Sequence, residues 1–201
     1  MGGFPRGRQG ERSVAGSARP SYTCKHIEGS GVNVAIKDSV AAEFAQVDDV
    51  IVELLQSDVE MVENIGHYIV KAGGKRMRPL LVLLSAKALG GIEDAHIRFA
   101  AVVEFIHTAT LLHDDVVDLS TLRRGMPTAN AEFGNAPSVL VGDFIYTRAF
   151  QLMVGLGNIP LLAHMAETSN TIAAVEAMQL VHAGDPDPQS EQHQEIRRRT
   201  A

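Results

Sequence analysis

From Val32 onward the apolar residues recur at helical spacing, and no other feature restricts the possible folds of this chain so tightly. Val47, Val50, Ile51, Leu54 and Leu55 follow the i, i+3, i+4, i+7, i+8 stripe of a half-buried helix. Ser57-Asp58-Val59-Glu60 reads as a capping box opening a helix that turns Met61, Ile65 and Ile69 inward and stops at Ala72-Gly73-Gly74. Pro79 stands where a first helical turn tolerates proline. Leu80 to Leu89 is then apolar almost all round until Gly90-Gly91, the pattern expected of a central helix. Asp94 caps a long helix from Ala95 to about Leu119, and another starts near Pro137 and passes Phe150 to a stop around Gly155-Leu156-Gly157-Asn158. The last runs from Pro160 to about His182, with Leu161, Met165, Thr168, Ile172 and Val175 inside, and Gly184-Asp185-Pro186-Asp187-Pro188 breaks it. No segment alternates as a strand does, and no solenoid-length repeat occurs. The expected fold class is all-α.

Charge divides the chain. Residues 1–31 hold Arg6, Arg8, Arg12, Arg19 and Lys25 against Glu11 and Glu28, with seven of the 18 glycines and almost no large apolar residue. Such a stretch cannot bury enough surface to offset its chain entropy, so it is expected to be a disordered extension. Its Arg-rich, acid-poor character has something of an organelle-targeting peptide, but its glycines break any amphipathic helix and favour an unstructured leader. Residues 32–201 form the second region, the helical domain. The whole chain carries 18 Lys and Arg against 24 Asp and Glu, a net charge of −6, which argues against nucleic acid as a partner. The lone Cys24 permits no intrachain disulfide and suggests a reducing, cytoplasmic setting. No uninterrupted apolar run exceeds Leu80 to Leu84, so no transmembrane segment is expected.

The chemistry concentrates between His107 and Arg124, in HTATLLHDDVVDLSTLRR. At 100° per residue, His107, Asp114 and Asp118 fall within about 40° of one another on one helical stripe, with Asp115 beside them. Carboxylates this dense among Leu111, Leu112, Val116 and Val117 are costly unless something positive neutralises them. A hard divalent cation does so naturally, and Mg²⁺ takes one or two carboxylates while leaving positions for a substrate phosphate. An Asp-Asp-x-x-Asp run alone is as often a solvated face. Here it ends a strongly apolar helix, and Arg123-Arg124 follows within five residues of Asp118. Acids for a metal next to arginines for an anion point to a multiply charged anionic ligand. Gly73-Gly74-Lys75-Arg76-Met77-Arg78-Pro79 supplies a second basic cluster before a helix N-terminus. Alone it would be a surface turn; paired with the first cluster it becomes a second diphosphate site.

These residues resemble the trans-isoprenyl (polyprenyl) diphosphate synthases. Gly73 to Pro79 is similar to that family's GGKRxRP segment, Asp114-Asp115-x-x-Asp118 to its first aspartate-rich motif, and Arg123-Arg124-Gly125 and Val141-Gly142-Asp143 continue the pattern. The resemblance spans about residues 32–201 and is nearest the long-chain, octaprenyl-type enzymes that make ubiquinone side chains. It implies an incomplete helix bundle of the isoprenoid synthase type, either orthogonal or antiparallel, and a homodimer. It also implies Mg²⁺ as cofactor and isopentenyl diphosphate plus an allylic prenyl diphosphate as substrates. Lys75, Arg78, His107 and Arg124 would hold isopentenyl diphosphate. Asp114 and Asp118, with Asp115 beside them, would carry the metal on the allylic diphosphate, which Arg123 would contact. Arg199 and Thr200 fall where the family has Lys-Thr against that same group. Ala109, five residues before Asp114, stands where the family limits product length with a bulky side chain, so an open tunnel and a long product are implied; a small helix-packing residue would look the same.

The family's second aspartate-rich motif has no counterpart, because Asp185-Pro186-Asp187 is proline-broken and wrongly placed. The expectation is therefore roughly the N-terminal half of a prenyltransferase, or else a non-catalytic subunit or dimerisation partner. A class I terpene cyclase shares an aspartate-rich motif but needs no GGKRMRP segment. His113 is expected only to pack or hydrogen-bond near the acids, and Glu104 to bond a neighbouring helix without a catalytic role. His67, His96 and His164 lack metal-ligand spacing, and Met153, Met165 and Met178 are core filler.

Overall fold

In a computed structural model, which describes residues 36–181 together with 194, 195 and 198, the chain winds around a single helix. The expected extension at 1–31, Arg199 and Thr200 lie outside the described residues. The helices are α1 (Ala41–Leu54), α2 (Glu60–Ala72), α3 (Met77–Ala88), α4 (Asp94–Val117), α5 (Ala129–Phe133), α6 (Asn135–Gly155) and α7 (Ile159–Val181). The all-α expectation holds apart from a two-residue antiparallel hairpin, β1 (Leu122–Arg123) and β2 (Met126–Pro127), with Leu122 opposite Pro127 and Arg123 opposite Met126. That hairpin and α5 are too short to register as periodic patterns, so sequence reading misses both.

α4 is central because apolar residues surround it. Ala100, Ala101, Val102, Phe105, Ile106, Ala109 and Leu112 are all buried, and the helix packs on α6 most extensively, then on α3 and α1. α6 answers with Val141, Ile145, Ala149, Leu152 and Met153. Burying each of these larger side chains is worth about 1.5–3 kcal/mol. Among the described residues α4 is also the one helix long and apolar enough to cross a membrane by length and composition, although polar residues interrupt every long apolar run in it.

Several sequence-level expectations need correction. Leu83 and Leu80 of α3 are buried, but Leu81 is 58% exposed, so α3 flanks the core. Ser57 does not cap α2; its Oγ accepts the Val59 N–H at 3.1 Å, and the helix begins at Glu60. α4 is capped by Glu93, whose backbone N–H donates to His96 Nδ1 at 3.0 Å, while Asp94 lies inside the helix and accepts from Arg98 Nε at 2.6 Å. Asn158 belongs to the next helix as well as to the stop, since its Oδ1 accepts the Leu161 N–H at 3.0 Å. On α7 only Val175 of the five expected inward residues is buried; Ile172 and Thr168 are exposed because α7 packs only lightly on α6.

Candidate active site

α4 carries one functional face along about three turns, and the segments on either side of it bring the charges. The first segment is the loop from Gly73 to Arg76. Arg76 sits in the left-handed region at φ 48°, immediately before α3. That turn sends its guanidinium inward, where its Nε lies 3.7 Å from Asp48 Oδ1 on α1 and its Nη1 lies 3.8 Å from Glu104 Oε1 on α4. Lys75 and Arg78 stay exposed on either side. Arg124, also left-handed at φ 54°, reaches back across the fold and donates through Nη1 to the Gly73 carbonyl. Its guanidinium occupies the space where a Cβ on Gly74 would stand, 2.5 Å from Nη1, which explains glycine there.

The fold thus brings the GGKRMRP segment and the arginine pair together. Arg78 and Arg124 both act on His107 and on Glu104, one helical turn apart on α4. Burial, then repulsion from Arg78, Arg124 and Arg123, lowers the His107 pKa to about 4, so the imidazole is neutral at pH 7. Burial raises the Glu104 carboxyl above its ordinary range against the pull of Arg76, Arg78 and Arg124. A cavity of about 100 Å³ opens here, lined by Arg76, Glu104, His107, Asp115, Arg123 and Arg124 beside apolar walls such as Phe105, Leu111 and Leu112. Lys75, Arg78, Asp114, Asp118 and Ala109 do not line it. Ala109 is fully buried in the core.

Two turns further along, about 10 Å by helical rise, stand the acids. Asp115 is buried and already matched: Arg123 Nη2 donates to its Oδ1 at 2.7 Å, and Nε donates to Oδ1 and Oδ2 at 3.1 and 3.2 Å. The hairpin holds Arg123 in that position, and Tyr68 anchors the hairpin by donating its hydroxyl to the Pro127 carbonyl at 2.7 Å. Asn130 Nδ2 donates to the Asp115 and Ser120 carbonyls, tying α5 to the end of α4. Asp114 is half-buried and Asp118 exposed. Desolvation and then the Asp118 charge raise the Asp114 carboxyl, outweighing the pull of Arg123.

Two acids from other helices complete this end. Asp143 on α6 has Oδ1 3.4 Å from His113 Nε2, which also lies 3.2 Å from the Val139 carbonyl. Both neighbours only accept hydrogen bonds, so the Nε2 carries the proton. Gly142 lies against that ring; a Cβ there would collide with Nε2. Glu176 on α7 has its carboxyl raised by desolvation, then by Asp114 and, more weakly, by Asp118, with His113 opposing. Sequence reading misses Glu176, because a single glutamate in a long helix carries no signal until α7 lies beside α4. Among the described residues no set of three or more His, Cys, Asp or Glu side chains converges in metal-ligand geometry. Asp114 and Asp118 still fit a hard divalent cation, being adjacent oxygen donors on one face that repel each other.

Residues 59–201 match the family model described as Polyprenyl synthetase. Octaprenyl diphosphate synthase of Escherichia coli K12 is 53% identical over 161 residues, 80% of this chain and 50% of that protein. The all-trans-nonaprenyl-diphosphate synthase (geranyl-diphosphate specific) of Rhodobacter capsulatus is 48% identical over 149 residues, covering 74% and 46%. Among solved structures, a polyprenyl synthase from Caulobacter crescentus CB15, complexed with calcium and isoprenyl diphosphate, superposes with a TM-score of 0.78 at 42% identity, covering 85% of this chain and 52% of that one. The chain spans about half the length of the curated relatives it matches. It belongs to the polyprenyl synthetase family.

Proposed function

We propose that this chain is a prenyltransferase that joins isopentenyl diphosphate to an allylic diphosphate primer, giving a long-chain polyprenyl diphosphate of the kind used for quinone side chains. The observation that carries the reading is that Arg124 bonds the Gly73 carbonyl at the head of the GGKRMRP segment, 51 residues earlier, and shares one cavity with His107, two turns before Asp114 on the same helix. Family membership and the relatives' printed activities point the same way.

In this reading Lys75, Arg78, His107 and Arg124 bind isopentenyl diphosphate, His107 as a neutral hydrogen-bonding partner and the others as charges. Asp114 and Asp118 hold Mg²⁺ against the allylic diphosphate, and a calcium ion accompanies isoprenyl diphosphate in the Caulobacter relative. Bound there, Mg²⁺ supplies charge neutralisation for the departing diphosphate. Asp115 acts by fixing Arg123, which keeps one edge of its guanidinium on the carboxylate and turns the rest toward the cavity. Arg199 and Thr200 take their allylic-diphosphate role from the resemblance alone. The allylic carbon–oxygen bond breaks, the isopentenyl double bond supplies the electrons for the new carbon–carbon bond, and a proton passes to the released diphosphate. Cationic side chains around the cavity favour this charge separation. A homodimer acting in the cytoplasm completes the proposal, supported by the family and by the single cysteine.

Purified chain incubated with radiolabelled isopentenyl diphosphate, an allylic primer and Mg²⁺ should yield extended product, and Asp114→Ala should abolish it. No extended product, either alone or mixed with a full-length relative, rejects enzymatic function for this chain.

A further inference from the structure

Glu104 is out of place in an anion site. It lies one turn from His107, lines the same cavity, and faces Arg76, Arg78 and Arg124, so its charge opposes any diphosphate bound there. Its carboxylate is 12% exposed, and so is costly to keep without a partner. Its ion pair with Arg76, at 3.8 Å, is too long for a hydrogen bond and depends on charge. Arg76 itself is 11% exposed and is gripped from the other side by Asp48. Of the three cations in Lys75-Arg76-Met77-Arg78, the one with a largely buried side chain is thus tied to two acids while Lys75 and Arg78 stay exposed.

We infer that Glu104 is a positioning residue: by fixing Arg76 between α1 and α4 it sets the Gly73–Pro79 loop, and so places Lys75 and Arg78 for the diphosphate of isopentenyl diphosphate. The inference rests on the function proposed above. It makes a prediction opposite in sign to simple electrostatics. Deleting a negative charge beside an anion should tighten binding; deleting a charge that holds the cations in place should weaken it.

The test is calorimetric titration of the full chain with isopentenyl diphosphate and with inorganic pyrophosphate, without metal, for wild type, Glu104→Gln, Arg76→Lys and the double variant. Circular dichroism and the thermal midpoint monitor folding. Glu104→Gln should bind isopentenyl diphosphate about tenfold more weakly, a loss of about 1.4 kcal/mol. Arg76→Lys, which keeps the charge but loses the forked reach, should fall in the same direction, and the double variant should be no worse than the weaker single. Mg²⁺-dependent binding of an allylic diphosphate should stay within about twofold of wild type, a split that general destabilisation would not produce. Unchanged or tighter binding by Glu104→Gln overturns the inference while the site proposal stands. Equal losses of both ligands also overturn it. Should Glu104→Gln fail to fold, unchanged affinity in Arg76→Lys overturns it instead. Failure of wild type to bind isopentenyl diphosphate overturns the site proposal and the inference together.

Discussion

The two ends of the functional face of α4 are built on opposite plans. At the His107 end the charges are balanced inside the protein: Arg76 has Asp48 and Glu104, and Arg124 has the Gly73 carbonyl. At the Asp118 end Arg123 matches Asp115 and His113 lies 3.4 Å from Asp143, while Asp114 feels the Asp118 charge and Glu176 feels both. One end is assembled before any ligand arrives, whereas the other holds surplus negative charge that an external cation would relieve. The contrast teaches that isopentenyl diphosphate should bind without metal, and the allylic diphosphate only with it.

The strongest way to break that contrast is to remove the surplus. Asp114→Asn with Asp118→Asn should weaken Mg²⁺-dependent binding of an allylic diphosphate about 100-fold while leaving metal-free isopentenyl diphosphate binding within about twofold, both read by calorimetry. Equal losses at the two ends would erase the distinction. Next, Asp115→Asn leaves the Arg123 guanidinium without its bidentate partner. Urea unfolding should show a loss of about 2 kcal/mol, below the cost of breaking a fully buried pair because Arg123 is partly solvated. Gly74→Ala sharpens the picture at the basic end. Its Cβ displaces Arg124, so isopentenyl diphosphate affinity should fall about fivefold with little change in thermal midpoint.

The smallest effect is a pH dependence. His107 titrates near 4 in the folded chain and near 6.5 when unfolded. Between those values the unfolded state binds more protons, so the His107 contribution is complete above pH 6.5 and is lost as pH falls toward 4. Discounted for solvent screening, the loss is about 1 kcal/mol. Glu104, Asp114 and Glu176, with raised carboxyls, act in the opposite direction. The readout is therefore the difference between wild type and His107→Gln in urea unfolding at pH 7 and pH 4.5; a constant difference would contradict the assignment.

Much of the fold was legible in the periodicity. The stripe from Val47 to Leu55 is buried or half-buried as expected, α2 ends beside Gly73, α6 ends at Gly155, and α6 and α7 begin within two residues of Pro137 and Pro160. Caps are less legible. Ser57 and Asp94 have the right chemistry for capping, but backbone geometry gave their places to Val59 and Glu93. In the site, the aspartates and the two basic clusters announce themselves locally. Asp143 is legible as part of a motif and Glu104 as a partner for another helix, but Glu176 is not, since it joins the site only through neighbours on another segment.

The sequence by itself determined that this chain is helical and that acidic and basic motifs flank one apolar helix, because period and spacing are local properties of the covalent chain. Only the tertiary structure decided which charges meet. Arg76 turns inward while Arg78 stays exposed, Asp115 is consumed by Arg123, and Asp114 and Asp118 remain available to a cation. Those outcomes depend on distances and desolvation across helices packed side by side, and electrostatic energy in a protein follows separation in space, with no regard for separation along the chain.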